Sequence, residues 1–230
     1  DINPLAGLMS TVNLAARATS SRPEIRIADF LLLPPKQKFQ SIVCNPPYSR
    51  HHELSKQYKE QIARQIDSES GRRVSRLSSI YVHFLIHAAS YLEEGGRMAF
   101  ITPSEILDVD YAVQLKQFIL RCFTLRAVII YPEEDLVFPG TLTTACITLM
   151  EKKKPKPEHQ VIFVKINKPP EPRELLRVIE EGQRRNLSWA AVEAIPQPNL
   201  KPEDKWSFAA SSSHDIKGTI SLRKIARVHR

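Results

Sequence analysis

Long apolar runs are missing from these 230 residues. None approaches the roughly 20 residues that a membrane-spanning helix requires, so no membrane partner is expected. No stretch near the start reads as a signal peptide, and the chain opens on Asp1 rather than Met, so the natural N-terminus is expected to lie upstream. Cysteine is scarce too. Cys44, Cys122 and Cys146 are an odd number with no C-x-x-C spacing, which argues against a disulfide framework or a zinc site. They read as small buried hydrophobes of a reducing, cytoplasmic protein. No metal site is expected from the histidines. His51 and His52 are adjacent and face different ways, and His83 and His87 are spaced i, i+4 but lack the Glu of a metalloprotease helix. They read as bordering the packed face of their helix. Glycine is held to seven residues, and no two are separated by a single position, so the chain contains no Gly-x-Gly.

What is present is the composition of an ordinary globular chain, 42% hydrophobic and 25% charged, long enough for one large or two small domains. Thirty-three Lys and Arg outnumber 25 Asp and Glu, a net charge of +8. A polyanionic partner, most simply nucleic acid, fits that balance. A basic protein with no such partner fits it as well.

Helical periodicity predicts helices over 4–17, with Leu5, Leu8, Met9 and Val12 on one packed face, over 79–92, over 111–123, and a polar one over 171–181. Strands are predicted at 24–30 (EIRIADF), 39–44, 97–102, 125–131, 143–150 and 161–166. Residues 49–77 are polar and read as a long loop with room for one short helix. Strand and helix alternate, and several strands are apolar on both faces. That pattern predicts an α/β fold with a mainly parallel sheet and antiparallel late strands. The strands at 143–150 and 161–166 are expected to pair antiparallel if they are neighbours. After residue 167 the chain turns rich in Pro, Ser and charge. The expected organisation is a unit over 1–167 and a helical or extended connector over 168–230.

The stretch Cys44-Asn45-Pro46-Pro47-Tyr48 follows a predicted strand directly. Two prolines remove two backbone donors and fix two φ angles. The segment is therefore stiff, and it presents acceptors and an aromatic face at the carboxyl end of a strand, where α/β folds bind ligands. An aromatic exocyclic amine is a poor nucleophile because its lone pair is delocalised. Two acceptors on its hydrogens, the Asn45 side-chain oxygen and the Pro46 carbonyl, favour a pyramidal nitrogen and aim that lone pair. Tyr48 can stack on the ring. A proline-stiffened turn with Tyr48 in the core is the plainer alternative. Asp29 ends the preceding predicted strand, and Asp1 is placed to end one as well; each also reads as a turn or cap residue.

Taken together, Asp1-Ile2-Asn3-Pro4, IADF at 27–30, NPPY at 45–48, GGRMAFITPSEIL at 95–107 and LVFPGTLTTACITL at 136–149 resemble the gamma-type N6-adenine DNA methyltransferases of restriction-modification systems. The likeness covers about residues 1–150, and ISLRKIARVHR at the end resembles the lead-in to a target-recognition domain. It implies a Rossmann-like sheet that uses S-adenosylmethionine and methylates adenine N6 in double-stranded DNA, with the base flipped out of the helix. Asp1 and Ile2 would hold the cofactor's ribose, Asp29 and Phe30 its adenine. Asn45, Pro46, Pro47 and Tyr48 would form the catalytic segment, with Asn45 also beside the cofactor and Tyr48 and Phe138 on the flipped base. Phe138 also reads as plain core packing. Arg72, Arg73 and Arg76 are candidates for the DNA backbone, whereas Lys152, Lys153, Lys154 and Lys156 either touch phosphates or blunt a strand end. A fused or partner nuclease is the companion such a system implies. The family's first strand and its glycine-rich cofactor loop have no counterpart here, so an open sheet edge is expected. Two other functions stay in view: methylation of RNA bases or protein glutamine amides, which share the NPPY chemistry, and a DNA-binding remnant that transfers nothing.

Overall fold

Seven strands join in one sheet in the computed structural model, which describes residues 1–17, 23–48, 55–71, 78–131 and 144–207. In chain order they are β1 (Phe39–Cys44), β2 (Leu92–Pro103), β3 (Thr124–Ile130), β4 (Ala145–Glu151), β5 (Gln160–Ile166), β6 (Arg185–Asn186) and β7 (Ala190–Pro196). Across the sheet the order is β1-β2-β4-β3-β5-β7-β6. β1, β2, β3, β5 and the short β6 run one way; β4 and β7 run the other. The strand directions are mainly parallel, as expected. Because each reversed strand sits between two forward ones, most of the neighbouring pairs are nonetheless antiparallel. β4 and β5 are not neighbours, since β3 lies between them.

Five α-helices accompany the sheet among the described residues: α1 (Pro4–Ala15), α2 (Lys56–Ser70), α3 (Ile80–Ser90), α4 (Val113–Cys122) and α5 (Pro172–Glu181). None is long and apolar enough to cross a membrane. One core cluster joins Ile62 and Ile66 of α2, Tyr81 and Leu85 of α3 and Leu115 of α4 to Phe100, Phe123 and Phe163. The other joins Val178 and Ile179 of α5 to Ala127, Ile129, Ile162, Val164 and Val192. Helices therefore cover both faces, which is why β3 and β5 carry apolar residues in both directions.

Five expectations need correction. The predicted strand at 24–30 is not one. Asp1 donates its amino group to the Arg26 carbonyl (3.0 Å), and the Ala28 amide donates to the Asp1 carbonyl (2.8 Å). This is a parallel rung between Asp1 and Ile27, and one rung does not make a ladder. Next, α1 forms, but its expected packed face is exposed: Leu5, Leu8, Met9 and Val12 all face outward. The helix is seated instead through Gly7, where an added Cβ would lie 3.0 Å from Ile27 Cγ1. Residues 56–70 are a full helix, not loop. Ser55 caps its start, with its hydroxyl accepting from the Tyr58 amide, and Gly71 ends it with a φ of 66°.

The connector expected from residue 168 does not leave the core. β7 pairs with β5 from Gln160–Pro196 to Ile166–Ala190, and Trp206 is 2% exposed. A boundary after residue 167 therefore falls inside the sheet. Finally, His83 and His87 are buried rather than bordering their helix face. At the other end of the order, β1 pairs only with β2 among the described residues, and Val43 on it is 82% exposed.

Candidate functional site

The ladder between β1 and β2 ends at Cys44–Phe100, while β2 continues to Pro103. Pro46 and Pro47 have no N–H to extend the ladder, so the chain leaves the sheet at Asn45, beside the carboxyl end of β2. Asn45 is exposed, Pro46 buried, and Tyr48 half-buried against the core cluster. The Tyr48 hydroxyl donates to Asn45 Oδ1 at 2.8 Å. Burial, then the neighbouring Cys146 and Cys44, pushes the Tyr48 phenol up, so it remains a donor. An amide oxygen has two lone pairs, and this bond orients the Asn45 amide while leaving one of them available.

Asp1 and Asp29 are brought together by the backbone rung at Asp1 and Ile27, which sets the two acidic residues on adjacent extended segments. Asp1 Oδ1 accepts from the Asn3 amide (2.8 Å), and Asn3 in turn caps α1. Asp29 caps a short turn of 3₁₀-helix (Phe30–Leu32), with Oδ1 accepting from the Leu31 amide at 3.0 Å. Its Oδ2 accepts from the Tyr58 hydroxyl at 2.6 Å. Burial, reinforced by that hydrogen bond to the carboxylate, pushes the Tyr58 phenol up. Ile2 is exposed near Asp1. Phe30 packs among Phe84, His87 and Tyr91, with ring centroids 5.3, 4.8 and 5.4 Å away. One of its expected faces is therefore committed to α3. Phe138, Arg72, Arg73 and Arg76 lie outside the described residues.

Two polar clusters support this arrangement. In the first, His87 is fully buried. Its Nδ1 lies 2.8 Å from Glu69 Oε1 on α2 and its Nε2 3.0 Å from the Leu33 carbonyl, which also accepts from Tyr91 Oη at 2.9 Å. In the second, the Tyr81 and Tyr111 hydroxyls are 2.8 Å apart, and Tyr111 donates to Glu105 Oε1 at 2.8 Å. Glu105 stands in the turn that follows β2 (Ser104–Leu107). Burial pushes the Tyr81 phenol far up, so it too is neutral. None of Tyr58, Glu69, His87, Tyr81, Glu105 and Tyr111 is marked by the NPPY and acidic strand-end pattern. The one available signal is Tyr58, Ile62 and Ile66 at i, i+4, i+8 on an otherwise polar segment.

The lysines after β4 turn inward in part. Lys152 Nζ donates to the carbonyls of Ala89 (3.1 Å) and Leu92 (2.9 Å), closing the C-terminus of α3, and Lys153 pairs with Glu151 at 2.6 Å. Cys44 and Cys146 are free thiols pushed up by burial to about 11 and about 12, as inert packed cysteines should be.

Residues 11–138 match the Eco57I restriction-modification methylase family. Over 238 aligned residues the chain is 29% identical to the type II methyltransferase M.XamI of Xanthomonas campestris pv. amaranthicola, covering 100% of this chain and 41% of that protein. Over 125 residues it is 33% identical to the type II methyltransferase M.AccI of Acinetobacter calcoaceticus, covering 54% of this chain and 23% of that protein. The chain thus spans well under half the length of either relative. The fold is similar to that of a type I restriction-modification methyltransferase subunit from Streptococcus thermophilus, with a TM-score of 0.66, 16% identity, and coverage of 86% of this chain and 44% of the other.

Proposed function

Since the chain belongs to the Eco57I restriction-modification methylase family, we propose that it carries the catalytic unit of a DNA methyltransferase that moves a methyl group from S-adenosylmethionine to N6 of a flipped adenine. The observation that carries this reading is the Asn45–Tyr48 segment, held rigid at the carboxyl end of β1 with the Asn45 amide oriented by Tyr48.

The residues present fit an adenosyl group. Two carboxylates, Asp1 and Asp29, stand on adjacent extended segments, and Ile2 and Ile27 offer exposed apolar surface next to them. Asp29 accepts two hydrogen bonds, and a carboxylate has about four acceptor positions, so it retains capacity for an adenine amino group. Asp1 retains capacity for ribose hydroxyls in the same way. When bound, S-adenosylmethionine supplies an electrophilic methyl group on a sulfonium centre. Asn45 Oδ1 and the Pro46 carbonyl accept the two amine hydrogens and aim the nitrogen lone pair. Tyr48 stacks on the base and keeps Asn45 in place. Fixed dipoles do this work without a strong base at the first step. The flipped base is required because an amine paired inside a duplex cannot meet the methyl donor in line. The basic balance of the chain, +8, suits a DNA backbone. A recognition domain and a nuclease, fused or separate, are the partners this reading expects, and the cytoplasm is its setting.

The test incubates the full-length protein with labelled S-adenosylmethionine and unmethylated DNA, then resolves the nucleosides by mass spectrometry. N6-methyladenine is the expected product. Label in RNA or in glutamine-containing peptides, with none in DNA, would overturn the substrate class. DNA binding with no transfer to any acceptor would overturn the activity.

A further inference from the structure

α2 has no role in the proposed chemistry, although it is the next helix after the catalytic segment and touches Asp29. It is fastened at both ends. Near its start, Tyr58 donates to Asp29 Oδ2 at 2.6 Å. Near its end, Glu69 meets His87, and Arg121 donates to the Ser70 carbonyl. Between these points Ile62 and Ile66 are buried in the core.

The turn that bears Asp29 and Phe30 is held from three directions. The Leu31 amide fixes Asp29 Oδ1, Tyr58 fixes Oδ2, and His87 with Tyr91 fixes the Leu33 carbonyl at the far side of the turn. Of these, Tyr58 alone is a side chain that binds the carboxylate directly. Its phenol is a neutral donor, and it uses one of the oxygen's lone pairs rather than both. It therefore sets the direction in which the remaining acceptor position points.

We infer that Tyr58 is a positioning residue of the cofactor site, holding the Asp29 carboxylate in the orientation that receives the adenine amino group, an assignment that rests on the proposed function. A hydroxyl that merely blocked Asp29 would have to be displaced on binding, and its removal would tighten the complex. A hydroxyl that orients Asp29 has the opposite effect, because a carboxylate held only by the Leu31 amide must be ordered further at the moment of binding.

The experiment compares unaltered full-length protein with Tyr58→Phe, Asp29→Ala and Glu69→Gln. S-adenosylhomocysteine, the probe, is titrated by calorimetry, and amide hydrogen exchange is followed over 56–70. Tyr58→Phe is expected to weaken the probe by about three- to tenfold, the range for having to order one released side chain on binding. The KM for S-adenosylmethionine should rise by the same factor, with kcat and the KM for DNA unchanged. Exchange over α2 should stay slow, since Ile62, Ile66 and Glu69 still hold the helix. An unchanged or tighter Kd in Tyr58→Phe, with Asp29→Ala weakened, overturns the role of Tyr58 and leaves the cofactor reading standing. Unchanged affinity in Asp29→Ala overturns the cofactor reading itself, as does failure of the unaltered protein to bind the probe. Glu69→Gln loosens the same helix without touching Asp29. If it weakens the probe as much as Tyr58→Phe does, and exchange over 56–70 quickens in both, the effect comes from helix docking, and the direct role is overturned.

Discussion

Trp206 shows how far the packed core reaches among the described residues, and Trp206→Ala is the substitution that tests it. The ring is 2% exposed and packs edge-on against Phe163 with centroids 6.5 Å apart. Its amide donates to the Leu107 carbonyl (2.9 Å), and its Nε1 donates to the Lys201 carbonyl (2.9 Å). The buried Lys116 ammonium sits 5.3 Å from the ring centroid, donating to the carbonyls of Leu107 and Asp204. Truncating a buried Trp costs about 3–5 kcal/mol from lost transfer energy and the cavity left behind. Losing the ring from beside a desolvated ammonium adds about 0.5–2 kcal/mol. At roughly 2–4 °C per kcal/mol for a domain of this size, the melting temperature should fall by about 7–28 °C. Urea unfolding followed by circular dichroism checks the free energy directly. Trp206→Phe is the companion variant. It keeps a ring against Phe163 but loses the Nε1 hydrogen bond and part of the buried ring volume, so it should cost about 1–3 kcal/mol, less than Trp206→Ala. A fall of less than 2 °C in Trp206→Ala, well below the ~7 °C lower bound, would show that the ring is not buried in solution. Residues 197–207 would then not be packed on β5 and α4 in solution, and the packed part of the described residues would reach only to β7.

Three other outcomes are expected. Asn45→Ala should abolish methyl transfer while leaving DNA affinity within about twofold, because it removes orientation of the reacting amine and no phosphate contact; comparable turnover in a single-turnover assay would sink the mechanism. Cys44, held at about 11 by burial, has about one thousandth of its thiol ionised at pH 8, so iodoacetamide should label neither it nor Cys146 until denaturant is added; peptide mass spectrometry that finds rapid native labelling of Cys146 would contradict its burial. His87→Leu leaves the Glu69 carboxylate, which is only 12% exposed, with Gln65 as its hydrogen-bond donor and an apolar group in place of the imidazole, and should destabilise the protein by about 3 kcal/mol in urea unfolding; the double change His87→Leu with Glu69→Met should recover part of that loss, and no recovery would show that the ring's packing on Phe30, rather than the pair, carries the cost.

Most of the sheet was legible because its strands are buried on both faces and its helices carry wide apolar stripes. α3, with Tyr81, Leu85, Ala88 and their neighbours inside, could hardly be read otherwise. What escaped notice did so for physical reasons. α2 buries only a narrow line through Ile62 and Ile66, so its periodicity is drowned by the polar residues around it. Its boundaries, Ser55 and Gly71, were the better signal. β7 (AAVEAIP) has small residues and a proline, a weak strand pattern that becomes a strand because β5 offers it an unpaired edge. The segment 24–30 has the stronger alternating pattern, yet among the described residues it makes a single rung, with Asp1, and no ladder. Alternation shows which way side chains would point, but a strand also needs a partner, and partners are set by the sheet.

The same distinction separates the two halves of the candidate site. Asn45, the prolines and Tyr48 are contiguous, so their chemistry can be read from the spacing alone, and the hydrogen bond from Tyr48 to Asn45 closes within that short stretch. The Asp29 site is assembled from afar. Its carboxylate is oriented by a residue 29 positions later, and the turn behind it is pinned by residues more than 50 positions later. No local pattern records such contacts. They exist because α2 folds back over α3, which places Tyr58 beside Asp29 and Glu69 beside His87 at once. A substitution that lifts either end of α2 therefore acts on Asp29 through the helix, while one at Asp29 itself does not act on the helix core. This asymmetry is what lets Tyr58→Phe and Glu69→Gln be told apart by hydrogen exchange even where their effects on affinity overlap.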